Sequence, residues 1–194
     1  MFSKICRGVF LVFSRLYWKS EKTHLAKCGK GAYIEYPFVL KGGKYISVGD
    51  NFRAYKGLRL EAHDKHNGFE FSPLIEIGDN VSINYDVHIT ACNKVVIEEG
   101  TLIASKVFIT DHFHGRTHGE DIKIGPQGRK LYSKGEVHIG KNVWIGEGVA
   151  IMPGVSIGDN CIIGANSVVT KSISSDFVVA GNPARVIGVT REEE

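Results

Sequence analysis

Residues 139–174 read IGKNVW IGEGVA IMPGVS IGDNCI IGANSV VTKSIS when set out in sixes. The first place is Ile or Val in all six, the second is Gly in four, and the fifth is Val, Val, Val, Cys, Ser and Ile. With aliphatic residues at about a quarter of ordinary positions, such a run arises by chance roughly once in several thousand registers. Earlier stretches rejoin the rhythm: VGDNFR from Val48, IGDNVS and INYDVH from Ile77, and IEEGTL and IASKVF from Ile97. A period of six fits neither the 3.6 of a helix nor a simple hairpin meander, and short-period self-similarity signals a solenoid. Each six supplies one short strand and one sharp turn, with Gly, Asn or Asp where the corner needs positive φ. Three sixes close a triangular coil of about eighteen residues, and stacked coils pair their backbones except at the ends.

The 194 residues suffice for one sizeable domain. Cys6, Cys28, Cys92 and Cys161 are widely spaced with no C-x-x-C pair, which argues against a disulfide framework or a thiolate zinc site and points to a reducing cytoplasm. Net charge is +3, but residues 1–30 hold seven Lys/Arg and one acid, so the other 164 residues sum to −3. The basic character therefore belongs to the N-terminal arm and gives no broad nucleic-acid footprint. That arm, MFSKICRGVFLVFSRLYWKS, sets Phe2, Ile5, Cys6, Val9, Phe13 and Leu16 at helical spacing, with Lys4, Arg7, Arg15 and Lys19 mostly elsewhere. It predicts an amphipathic helix too short and too charged to span a bilayer, without a signal-peptide cleavage site. Two roles stay open for it: packing on its own domain or a sister subunit, or lying on an anionic membrane surface. The chain thus divides into a helical arm over 1–30, a repeat domain over 31–188 and a tail over 189–194.

The rhythm fails at FITDHFHGRTHGE, residues 108–120, and does not return until residue 137. Residues 111–136 are expected to leave the solenoid at a corner just after Ile109, and loops longer than about 12 to 15 residues are uncommon unless functional or disordered. His112 and His114 lie two apart, on the same side of an extended segment, whereas Asp111 would face the other way and hold the corner. His118 reads as an exposed loop residue. Glu61 and His63 in LRLEAHD, where the repeat is also broken, are further candidates for the same cleft.

The I-G-x-x-V-x tandem repeats ending in VVAGNPARVI resemble the hexapeptide-repeat acyltransferases over about residues 45–188. That resemblance implies an all-β fold, a left-handed parallel β-helix, assembled as a homotrimer. It also implies the handedness, which breaks the usual right-handed crossover rule. ITDHFHG resembles the catalytic corner of the sugar O-acetyltransferase branch, which includes galactoside and maltose acetyltransferases, and the D-H-x-H-G form looks like the branch acting on surface polysaccharides. His112 then matches the general base, and His114 a neighbour in the substrate pocket. A histidine suits this work because its side chain titrates near pH 6.5, so the neutral ring can take a hydroxyl proton and return it. INYDVHI resembles the motif that contacts the acceptor sugar. Asn84 matches its first Asn, and Asp86 replaces the second, where it could bind a hydroxyl or orient His112. For acetyl-CoA, the implied donor, Trp144 matches the tryptophan bordering the pantetheine arm and Gly146 admits close backbone approach. Glu147 stands where the family often has Ser, leaving backbone N–H groups as oxyanion donors. Ala165 and Thr170 match backbone contacts to the cofactor, Lys171 reaches phosphate, and Arg185 meets the adenosine end.

The expected reaction is acetyl transfer to a sugar hydroxyl by direct attack, with no metal and no acyl-enzyme. The same base and donor slot would equally serve N-acetylation of an amino sugar or O-acetylation of serine. A zinc enzyme resembling the β-helical carbonic anhydrases is a further alternative, since His112, His114 and His118 supply nitrogen ligands, although that family spaces its ligands differently. A catalytically idle scaffold is the remaining one.

Overall fold

The computed structural model describes residues 2–190, with side chains from residue 8 onward, so residues 191–194 of the expected tail lie outside the described residues. From residue 27 the chain visits three parallel sheets in rotation, and strands one turn apart pair in register. In the first sheet Cys28, Val48, Ile77, Ile97, Ile139, Ile157 and Ile173 stack in one column. The second stacks Ile34, Ala54, Ile83, Ile103, Ile145, Ile163 and Val179. The third stacks Leu40, Leu60, Ile89, Ile109, Ile151 and Val169. These columns are the first place of the sixes, and nearly all their members are buried. Because a strand turns successive side chains to opposite faces, neighbours of a column residue point outward, which limits most of these strands to two to four residues.

The fifth place fills the space behind each corner with smaller side chains such as Val81, Val107, Val143 and Val149. Corners between the first and second sheets put Asn51, Asn80, Asn142 and Asn160 at φ near 55°, the left-handed region Asn tolerates best among residues with a Cβ. Gly100 takes that place in the fourth coil, where a Cβ would lie 2.4 Å from Asn142 Oδ1. Two buried hydroxyls close corners from inside: Thr101 Oγ1 donates to the Gly140 carbonyl, and Ser167 Oγ to that of Gly164. The antiparallel pair Phe177–Gly181 and Ala184–Val189 finishes the second sheet at the C-terminal end.

At the other end the helix Phe2–Glu21 packs on the first coil. Trp18 is buried there with Nε1 donating to the Ala32 carbonyl, and the buried Ser14 hydroxyl bonds Tyr33 Oη and accepts from the Tyr36 amide. The face that packs is thus built from Ser14, Tyr17 and Trp18, with Phe13 at its edge against the Tyr36 ring, while Val9 and Leu16 of the stripe marked by the sequence point to solvent.

Two excursions interrupt the coils at the same corner, between the third and first sheets. One is a hairpin of Lys65–His66 and Phe69–Glu70, between the second and third coils. The other spans the long break after Thr110, where His112–His114 pairs antiparallel with Leu131–Ser133 around two 3-10 turns, Gly119–Lys123 and Pro126–Gly128.

Candidate active site

Thr110 ends its strand in the third sheet and Asp111 begins the excursion. Alternation would send the Asp111 carboxylate away from His112, but the turn at the strand end brings the two together, correcting that expectation. Asp111 is fully buried, with Oδ1 2.7 Å from His112 Nδ1. The same carboxylate accepts the Cys92 amide at Oδ1 and the Asn93 amide at Oδ2, from the corner one coil earlier. A carboxylate only accepts, so Nδ1 carries a proton, and in the neutral ring it is Nε2 that keeps its lone pair. Thr110 Oγ1 accepts the His112 amide and donates to the His112 carbonyl, which fixes the backbone beneath the ring. His112 is itself buried, at 8% exposure, so its ring sits in a preset orientation with little water around it.

His112 lines a cavity of about 260 Å³ with Arg59, Glu61, His63, His88, Thr90 and His114 among its walls. The register explains this set: Glu61, Thr90 and Thr110 occupy one outward column of the third sheet, and Arg59, His88 and Phe108 the next. Arg59 donates to Glu61 Oε1 from Nε and Nη2, while Glu61 Oε2 stands 3.5 Å from both His63 Nε2 and His88 Nε2. Burial works against the Glu61 charge, yet the Arg59 hydrogen bonds outweigh it and its pKa falls below the ordinary value. Burial lowers the pKa of His63, with Lys41 and His112 adding to it, and lowers that of His88, with Arg59 adding. Lys41 Nζ lies 3.2 Å from His63 Nδ1, and an ammonium can only donate, so His63 presents Nε2–H toward Glu61. The His63 ring meets His112 edge to face at 5.8 Å between centroids. His88 Nε2 is buried and, among the described residues, has the Glu61 carboxylate beside it at 3.5 Å but no closer hydrogen-bond partner.

The two excursions brace one another over this cavity. Asn67 Nδ2 donates to the Gln127 carbonyl at 2.6 Å and to that of Arg129 at 3.3 Å. His66 faces the exposed His114 ring at 5.5 Å, and Lys130 Nζ lies over the Phe69 ring. His118 is exposed in the loop.

Among the described residues, the His, Cys, Asp and Glu side chains close enough to share a metal ion are Cys92, Asp111 and His112. Their chemistry fits a hydrogen-bonded pair instead. Burial, with the Asp111 charge adding to it, pushes the Cys92 thiol up to about 12, so the thiol keeps its proton, and both Asp111 oxygens are already in use. His114 and His118 do not join this group.

The other residues singled out in the sequence fall in two places. Thr170 and Lys171 follow the third-sheet strand Val168–Val169, at the corner that also carries His112. Lys171 and Arg185 line one cavity of about 280 Å³ with Phe177 and Val179, an apolar slot bearing two cations. Asn84, Asp86, Gly146 and Ala165 occupy the opposite corner, where the second sheet leads into the third, and Trp144 stands 53% exposed on the second sheet. Asp86 is exposed with φ 57°, its carboxylate turned toward Gly57, and it belongs neither to the His112 cavity nor to the contacts that orient that ring. Four strand residues at about 3.3 Å each separate the Asp86 end of the third sheet from the end that bears His112, roughly 13 Å. Glu147 faces Lys106 at 3.2 Å.

Comparison with known proteins bears on the fold that carries this cavity. The family model described as bacterial transferase hexapeptide (six repeats) matches residues 136–171. Among curated proteins, Escherichia coli K12 WbbJ, provisionally named a lipopolysaccharide biosynthesis O-acetyl transferase, is 42% identical over 158 residues, 79% of this chain and 76% of that one. Among solved structures, galactoside acetyltransferase in complex with coenzyme A superposes with TM-score 0.60 at 34% identity, over 88% of this chain and 68% of that chain. A maltose O-acetyltransferase from Clostridium difficile 630 gives TM-score 0.63 at 30% identity, over 97% and 86%. The repeat, the three-sheet coil and an identity of 42% across most of both chains place this protein in the hexapeptide-repeat acyltransferase family.

Proposed function

We propose that the chain is a cytoplasmic O-acetyltransferase that moves an acetyl group from acetyl-CoA to a sugar hydroxyl during surface glycan synthesis. The observation that carries the reading is the buried Asp111–His112 pair, with Nε2 left for a substrate in a polar cavity. Acetyl-CoA supplies the acyl group as a thioester. His112 Nε2 takes the proton of the attacking hydroxyl, the new C–O ester bond replaces the C–S bond, and the proton passes to the departing sulfur. Asp111 keeps the tautomer and the ring angle and offsets the positive charge His112 carries in between. Glu61, His63 and His88 offer both donors and acceptors to sugar hydroxyls from one wall. The phosphates fit the slot shared by Lys171 and Arg185.

Because Asn84, Gly146 and Ala165 sit about 13 Å across the third sheet from His112, one chain does not assemble the whole site. A homotrimer of left-handed coils resolves this by setting the acceptor and pantetheine corner of one subunit against the His112 corner of the next. The outward apolar side chains Tyr55, Tyr85, Leu102, Phe108 and Trp144, exposed in the single chain, are suited to that contact.

The test is incubation with acetyl-CoA and a panel of nucleotide sugars, amino sugars and lipid-linked saccharides, following thiol release and the product by mass spectrometry. An alkali-labile ester on a sugar is the expected product. An alkali-stable amide would make the enzyme an N-acetyltransferase, and thiol release indifferent to every sugar would refute the reading.

A further inference from the structure

The helix Phe2–Glu21 has two working faces, and the fold uses one. Ser14 and Trp18 are buried against the first coil, while Val9, Val12, Phe13 and Leu16 stand 65%, 59%, 48% and 62% exposed. Val9, Val12 and Leu16, spaced i, i+3 and i+7, form an apolar stripe turned away from the protein, and Phe13 beside them stays half exposed while its ring meets Tyr36 edge to face at 5.0 Å. Phe10 and Leu11 are exposed as well. Arg15 and Lys19 fall on one flank of the stripe at this spacing, and the helix sequence holds two further basic residues and no acid before Glu21. No helix among the described residues is long and apolar enough to cross a membrane.

We infer that this outer face docks on an anionic lipid bilayer, the helix lying in the plane of the headgroups with the Val9–Leu16 stripe among the upper acyl chains. Charge complementarity selects the occupant. A sister subunit's coils turn their apolar columns inward and offer little to cover such a stripe, whereas acidic headgroups neutralise the flanking cations while the chains beneath take the side chains. The anchorage of Trp18 to the Ala32 carbonyl holds the stripe in place on the rigid first coil, so little ordering is required on contact.

Co-sedimentation of the full chain with phosphatidylcholine vesicles, with and without a third of phosphatidylglycerol, tests this. The protein should pellet with the anionic vesicles alone and be released by salt. The double change Val12→Asp and Leu16→Asp should cut vesicle partitioning by about tenfold or more, and Arg15→Glu with Lys19→Glu by a similar factor. Both pairs are exposed, so melting temperature and thiol release with soluble acceptors should stay as in the parent chain. Failure to pellet with anionic vesicles, or unchanged pelleting of both variants, would overturn the proposal. So would a fall in native mass on Leu16→Asp without vesicle binding, which would assign the stripe to a subunit contact.

Discussion

Asp111 contributes most where alternation places it least. Its carboxylate holds His112 Nδ1 and two backbone amides at zero exposure, so it serves at once as corner clamp and ring support. Asp111→Asn keeps the shape but offers an amide donor in place of an acceptor, and is expected to lower kcat by roughly 10–100-fold with KM for acetyl-CoA little changed. Steady-state kinetics with a pH profile would check this, since a merely structural loss would lower the melting point and leave the profile in place. The corner that carries His112 stood out because its aliphatic-Thr-x-His stretch resembles the family pattern. Asp111 was legible as the holder of that corner, but its contact with His112 was not, because the strand ends at Thr110 and the turn that follows rotates the side chain against the period of two. His88 and Arg59 were equally hidden: they come to His112 only through the pairing of Arg59, His88 and Phe108 across three coils, a register that a single repeat does not disclose.

At the scale of elements, the two excursions form one lid braced through Asn67. Asn67 has φ 49°, so Asn67→Gly removes the amide without straining the turn. Trypsin should then cut at Arg116, Lys123, Arg129 or Lys130 several-fold faster in native buffer, as local opening becomes less costly. The long break was legible from its length alone, whereas the hairpin at residues 65–70 was not, since its two-residue strands carry no periodicity. The histidines of the lid and of the cavity wall beneath it also set a pH dependence. Burial lowers the pKa of His63, His66 and His88, so the unfolded chain binds more protons than the folded one between their lowered values and about pH 6.5. Stability should therefore be full above about pH 6.5 and fall as the pH drops through that window. Thermal melts across pH 5 to 8 would show it, and His88→Asn should flatten the slope.

For the whole molecule, the repeat disclosed the coil, because the side chains at its first place are the buried columns. Ile89→Ala, in the middle of the third column, is expected to cost about 2–5 kcal/mol and to appear as a lower melting temperature. Subunit arrangement follows from where the site residues lie, not from the repeat. If the His112 corner of one subunit meets the Asn84 corner of another, inactive His112→Ala and Asn84→Ala chains should complement when refolded together. Random mixing then leaves about a quarter of subunit junctions with both native partners, which kinetics of the mixture would detect. Mixtures as inactive as the separate chains would place both residues in one subunit's site.

The most direct test of the central claim compares the parent chain with His112→Ala by thiol release from acetyl-CoA in the presence of the sugar acceptor, alongside calorimetric titration with coenzyme A. Loss of roughly 10²–10⁴-fold in kcat, with coenzyme A affinity held within about twofold, is the predicted result. Turnover retained by His112→Ala would contradict the account.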